Sequence, residues 1–336
     1  MGLESICLPE GDITPGWVCK FAETLVKASW LGHQSLANVL SAGTATALLQ
    51  RLSRLLSARP PLVQVSPKED ETVTVVGDTH GQLHDVMVMF ASAGMPSEKA
   101  HFIFNGDYVD RGSWGLESEL KAKYPEKEAG SIYKAAEAVF IALPLAACVA
   151  GTTLVLHGGL FRPTTKQKRK GKRQKCLTPG SLKDLTDPVF KPSADPCGTG
   201  LTRTPGDILW SDPVATPGMR LNKFRGVGLV FGPDITEAFL AANNLRLIIR
   251  SHEGPDARYE IEDDAMNMKM GYTRDHITPN GDLVTVFSAP DYPQHQACPE
   301  EDRYHNLAAV AVLRGSTAPS WADPEFLQSM ASWHKF

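Results

Sequence analysis

The sequence predicts an α/β fold preceded by a helical segment. Two observations carry this. Five short apolar runs, at residues 71–76, 102–104, 152–156, 245–250 and 282–287, each end in a turn that holds Gly, Asp or His. The first 65 residues and those at 118–140 instead carry helical periodicity or strong helix formers. In open α/β sheets, functional groups collect beyond the carboxyl ends of the strands. Asp78, His80, Asp107, His157 and His252 all follow such runs, so they are expected on one sheet edge. A single histidine after a strand is most often a structural residue. Five ligand-type residues in equivalent places point to a site instead.

Taken in order, residues 1–65 form a helical N-terminal segment. Thr14-Pro15 is an N-cap followed by a favoured first-turn proline. Trp17, Phe21 and Leu25 recur at spacing four and form a core-facing stripe. Ala47, Leu48, Leu52, Leu55 and Leu56 make a second stripe, which stops before Pro60-Pro61. The main domain follows, at 66–315. Its first strand ends in GDTHGQ (77–82), and Val86, Met89 and Phe90 suggest a helix packed on the sheet. The run Phe102-Ile103-Phe104 ends at Gly106, which delivers Asp107, Asp110 and Arg111 into a tight turn. Two carboxylates and a guanidinium so close together are costly to bury unless something pairs them, and a cation on Asp107 would do so. Residues 118–140, rich in Lys, Glu and Ala, are expected to be helical. Pro279-Asn280-Gly281 is a turn between two elements, 306–313 is a last apolar strand, and 316–336 is a C-terminal tail.

The net charge of −4 gives no global pull toward nucleic acid. Six scattered cysteines without a Cys-x-x-Cys pair fit reduced thiols rather than a disulfide framework or a zinc site. No secretory signal is visible at the start, and the longest apolar stretch, 138–151, is too short for a bilayer and contains Pro144. No membrane association is expected, and an intracellular protein of nucleus or cytoplasm is. The sharpest shift in composition is KQKRKGKRQK at 166–175, seven basic residues in ten, inside an insertion at about 163–205. Such a run should be solvated, mobile loop. A nuclear-import signal is its leading functional reading, and an acidic partner comes next.

The segments GDTHGQ (77–82), GDYVDRG (106–112), HGG (157–159), LWSDP (209–213), RGVGLVFG (225–232), RSHE (250–253) and FSAPDY (287–292) together resemble the metal-dependent serine/threonine phosphoprotein phosphatases. FGPDITEAFL, NNLRLIIRSHEGPDAR and GYTRDH look like the plant type-seven branch. The resemblance implies a calcineurin-like metallophosphoesterase fold, a central β-sandwich flanked by helices. It implies that Asp78, His80 and Asp107 hold one divalent metal, with Asp107 bridging to a second held by His157 and His252. Ligands of Asp and His without Cys suit manganese, iron or zinc. Two such ions roughly 3.5–4 Å apart would share a hydroxide that attacks phosphorus in line. Arg111 and Arg225 would clamp the phosphoryl oxygens, Tyr292 would reach the site, and Asp110 would orient a histidine acid. The substrate implied is a phosphoprotein. The branch is linked to calmodulin through its insertion, although this chain lacks aromatic anchors there.

One departure stands out. The family's Gly-Asn-His-Glu motif, expected between GDYVDRG and HGG, is missing, as if one block of a few dozen residues were absent. With it would go a core strand, the Asn ligand of the second metal and the His general acid. A general acid supplies about 10²–10⁴ in rate. A strand burying three or four apolar side chains represents some 5–10 kcal/mol. A weakened second metal site and impaired turnover are therefore expected. A catalytically silent, metal-binding or partner-binding homologue is the alternative. Hydrolysis of a small phosphate diester or nucleotide would use the same ligands but fits LWSDP and SAPDY less well.

Overall fold

A computed structural model describes residues 3–109, 115–163, 177–187, 189–190, 203–263, 266–293, 303–316 and 321–331. By backbone contacts the chain forms two compact units, residues 1–59 with 109–143, and residues 60–108 with 144–336. In chain order the elements are α1 (Pro15–Ser29), α2 (His33–Val39), α3 (Ala42–Ser57), β1 (Leu62–Val65), β2 (Thr72–Val76), α4 (Leu83–Ala93), β3 (Ala100–Phe104), α5 (Gly115–Lys123), α6 (Glu126–Ala142), β4 (Ala146–Val149) and β5 (Thr153–Leu156). Then come α7 (Arg203–Trp210), β6 (Asp212–Pro213), β7 (Met219–Leu221), β8 (Leu229–Phe231), α8 (Pro233–Asn243), β9 (Leu247–Arg250), β10 (Tyr272–Thr278), β11 (Gly281–Val286), β12 (Ala308–Arg314) and β13 (Glu325–Ser329).

The first unit is helical. Thr14 caps α1 by accepting from the Trp17 amide at 3.2 Å, and Trp17 stacks on Phe21 at 5.0 Å. Ser41 caps α3 in the same way through the Thr44 amide. The core of this unit joins Ala42 and Ala45 of α3 to Tyr124, Ala129 and Ile132. The Tyr124 hydroxyl donates to the Leu40 carbonyl at 2.8 Å and Ser53 to that of Ala138 at 3.0 Å. The second leucine stripe is therefore displaced from its expected role, for Leu52 and Leu55 are exposed. Small side chains let α3 lie close along α6, and the face that packs is the alanine one.

The second unit is built on two large sheets. One has six strands in the order β1-β4-β5-β9-β11-β10, the other four in the order β13-β12-β2-β3. Val73 and Val75 of β2 with Ala309, Ala311 and Leu313 of β12 share one core with Val149, Val155, Leu247, Ile249, Val284 and Val286 of the six-stranded sheet. That shared core makes the pair a sandwich. Alternate residues point the other way, as a period of two requires. Val76, Val310 and Val312 pack with Val86 and Met89 of α4, and Leu154, Leu156, Ile248 and Leu283 pack with Phe239 and Leu240 of α8. A small third sheet, β6-β8-β7, adds Met219, Leu229 and Phe231 to the core shared by Leu154, Leu156 and Ile248.

Part of the 163–205 insertion is packed, not loose: Leu182–Leu185 forms a 3₁₀ turn, and Leu185 is fully buried among the apolar residues of the large core. β3 ends its sheet, and all five of its residues are only half-buried. Among the described residues no helix is long and apolar enough to cross a membrane.

Candidate metal centre

Asp78, Asp107, His157 and His252 stand at or just past the carboxyl ends of β2, β3, β5 and β9, and His80 two residues beyond Asp78. The two sheets meet there through close backbone contacts. A Cβ on Gly77 would stand 2.1 Å from the Val286 carbonyl, and the Gly77 amide donates to Ser288 Oγ at 2.8 Å. Only glycine lets β2 end against β11, and that contact sets the position of Asp78. The Asp78 carboxylate is buried and accepts from the His252 amide at 3.1 and 3.2 Å. The Thr79 and His80 amides both donate to the Asp107 carbonyl, at 3.2 and 2.9 Å. His80, Asp107 and His252 have φ of +45°, +38° and +74°.

Two overlapping sets of donors result, Asp78, His80 and Asp107, and Asp107, His157 and His252. Within each set the ligand atoms lie within 4.8 Å of one another. Asp107 belongs to both. His157 donates from Nδ1 to the Asn105 carbonyl at 2.7 Å, and its Nε2 lies 3.7 Å from Asp107 Oδ1. A carbonyl can only accept, so Nδ1 carries the proton and Nε2 presents its lone pair. Burial, opposed by the Asp107 carboxylate, holds His157 below the usual histidine range and hence neutral. A neutral imidazole with a fixed tautomer beside a carboxylate is what a divalent cation requires, and the donor chemistry fits one. Gly106, with φ +114°, leaves room for that ring, since a Cβ there would come within 2.4 Å of His157 Nδ1.

The ring of His80 faces Tyr292 at 5.2 Å and Phe287 at 5.8 Å, and Tyr292 is buried. Arg225 lies on the turn after β7. Its Nε and Nη2 donate to Asp212 Oδ2 and Oδ1 at 2.5 and 3.2 Å. Asp212 Oδ1 in turn lies 4.0 Å from His252 Nε2, so this guanidinium is tied to the ligand cluster. Asp110 and Arg111 lie outside the described residues, as does the basic run 166–175 with its expected acidic or calmodulin partner.

Behind the donors sits a charged network that the sequence reading passed over. Arg250, fully buried, donates to Glu253 Oε2 at 2.7 Å, to Thr285 Oγ1 at 2.9 Å, to Asp212 Oδ1 at 3.3 Å and to the Gly158 carbonyl. Arg258 joins Glu253 at 2.9 Å to Asp275 at 2.6 Å. Burial alone would raise the Glu253 carboxyl, but Arg258 and Arg250 outweigh it and bring it down to about 2. Asn105 holds the same region from another side, donating to the Leu156 carbonyl at 2.8 Å and to Ser251 Oγ at 3.0 Å. Asp212 falls within LWSDP, Arg250 and Glu253 within RSHE, so each was flagged by a motif; their contacts were not.

The sequence pattern of the calcineurin-like phosphoesterases matches residues 71–127 and again 116–256. The two stretches overlap just beyond GDYVDRG, which puts the break in the pattern where the Gly-Asn-His-Glu motif is missing. The chain is 37% identical to serine/threonine-protein phosphatase 7 of Arabidopsis thaliana over 365 positions, covering 94% of this chain and 86% of that protein. Those positions outnumber the 336 residues here, so the relative carries extra residues inside the matched stretch. It is 34% identical to serine/threonine-protein phosphatase 5 of Homo sapiens, over 85% of this chain and 54% of that one. Among solved structures, a protein serine/threonine phosphatase from Saccharomyces cerevisiae with similarity to human PP5 superposes with a TM-score of 0.65 at 26% identity, covering 93% of this chain and 96% of that one. The strand-end motifs, the sandwich that gathers them and these relatives agree, and the chain belongs to the calcineurin-like metallophosphoesterases, among the serine/threonine phosphoprotein phosphatases.

Proposed function

We propose that the chain hydrolyses phosphate monoesters on serine and threonine side chains of proteins at the cluster Asp78, His80, Asp107, His157 and His252. The family works with divalent metal ions, and the shared place of Asp107 in two donor sets is the observation that carries the reading to a pair of them. Asp78, His80 and Asp107 would hold one ion and Asp107, His157 and His252 the other, with manganese, iron or zinc suited to these donors. Such a pair supplies a nucleophile from water at neutral pH and withdraws charge from the phosphoryl oxygens.

The chain's own groups do the rest. His157 keeps its proton on Nδ1, through Asn105, and so offers Nε2 as a ligand. Arg225 is oriented by Asp212 through Nε and Nη2, and its Nη1 would be the donor to a phosphoryl oxygen. Tyr292, against His80 and Phe287, keeps water from that side of the cluster. Arg111 would be a second clamp, and the motif that supplies the family's histidine for Asp110 is missing from this sequence. The second ion, lacking the family's Asn ligand, would be the weaker one. A silent, metal-binding homologue is the other reading, favoured by the same break in the pattern.

Metal analysis of the purified chain together with aryl phosphate hydrolysis in added manganese tests the proposal. The expected result is turnover that rises with metal up to about two ions per chain, and that falls at least about 10²-fold in Asp107→Asn, with metal content dropping alongside. Metal bound without turnover would support the silent reading.

A further inference from the structure

The hairpin that carries Arg225 also carries an aromatic ring into water. β7 and β8 pair antiparallel, Leu221 opposite Leu229. The turn between them is held by its own hydrogen bonds. The Asn222 carbonyl accepts from the Gly226 amide at 3.0 Å and Asn222 Oδ1 from the Arg225 amide at 3.1 Å. The Asn222 amide donates to the Gly228 carbonyl at 3.1 Å, and Asn222 Nδ2 donates to Asp212 Oδ2 at 2.8 Å. At Gly228, φ is +72° and a Cβ would stand 2.4 Å from the Trp210 carbonyl, so the turn also fits closely against α7. The carboxylate that grips Arg225 thus anchors the whole turn.

At the apex of this turn Phe224 is 98% exposed, and Leu221 at its foot is 56% exposed. Scattered exposed apolar residues are ordinary. A phenyl ring almost wholly in water, on a turn held by its own hydrogen bonds and one residue from the guanidinium proposed to clamp phosphate, is a different case. Adjacent Cα atoms are about 3.8 Å apart, and an extended peptide advances about 3.3–3.6 Å per residue. A phosphorylated side chain held by Arg225 would therefore bring its own chain neighbours over Phe224.

We propose that Phe224 is a specificity-determining residue, which receives an apolar side chain within two residues of the phosphorylated serine or threonine of a protein substrate. The inference rests on the phosphatase reading above. The ring adds nothing to phosphoryl contact. It gives a preference among phosphopeptides, because an apolar neighbour leaves water on docking and a polar one gains nothing.

The test is a binding measurement, so it does not depend on turnover. Two fluorescent phosphoserine peptides, alike except for Leu or Ser at the flanking positions, are titrated with the full chain in manganese and followed by anisotropy. The Leu peptide is expected to bind about tenfold tighter. Phe224→Ala should erase the difference and Phe224→Leu keep most of it, and thermal melts should match wild type because the side chain touches solvent. Equal affinities for the two peptides, a preference that survives in Phe224→Ala, or the same preference in unphosphorylated peptides would each overturn the inference. Aryl phosphate turnover without any peptide binding would overturn it too and leave the phosphatase reading standing. A chain with neither metal binding nor turnover would overturn that reading instead.

Discussion

His276 is buried with both ring nitrogens engaged, Nε2 donating to the Val214 carbonyl at 3.0 Å and Nδ1 accepting from the Thr236 hydroxyl at 2.7 Å. Burial lowers its proton affinity below the ordinary value of 6.5. Above that value both folded and unfolded chains hold it neutral and it contributes no pH dependence. As pH falls through it, the unfolded chain takes up a proton that the folded chain refuses, so stability declines by up to about 1.4 kcal/mol per pH unit. Melting temperatures of wild type and His276→Gln between pH 7 and 5 check this. The wild type should lose more on acidification, and parallel curves would refute the assignment. At the same scale, the five donors were legible in the sequence because each follows a short apolar run. The contacts of Asp212 were not, although LWSDP contains it, because its partners Arg225 and Arg250 come from turns and strands 13 and 38 residues away.

Among the elements, α3 shows where periodicity misleads. Five apolar residues at helical spacing suggested the packing face, yet Ala42 and Ala45 are buried while Leu52 and Leu55 are exposed. A hydrophobic stripe marks an apolar surface, and close helix contact is decided by side-chain size. The apolar weight of that unit lies instead on α6, at Ile132, which is 5% exposed in a core shared with Tyr124 and Ala129. Ile132→Ala should cost about 2–5 kcal/mol, read as an earlier urea midpoint by circular dichroism. A change under about 1 kcal/mol would mean the helices repack around the gap. The packed turn Leu182–Leu185 was missed for a related reason: three leucines at 177, 182 and 185 were hidden in a stretch of Pro, Thr, Gly and Lys.

For the molecule as a whole, the α/β class and the edge of the sandwich that carries the donors could be read from motif order alone. How the strands sort into two sheets could not, because β2 pairs with β12, more than two hundred residues away. The missing block has a chemical consequence at this scale. Without the histidine that the family's missing motif would supply, an alkyl leaving group would depart poorly protonated, whereas a phenolate leaves without help. Aryl phosphate should therefore be cleaved about 10²–10⁴ faster than a phosphoserine peptide. Comparable kcat values on the two substrates would mean that another group of this chain donates the proton.

The left-handed backbone at His80, Asp107 and His252 has a further consequence. An L-residue held there sits roughly 1–2 kcal/mol above its relaxed conformation. Glycine would sit there without strain, but it could offer neither carboxylate nor imidazole. Strain of this kind thus falls on three of the five proposed donors, and replacements that ease the backbone there would harden the fold while removing the proposed ligands.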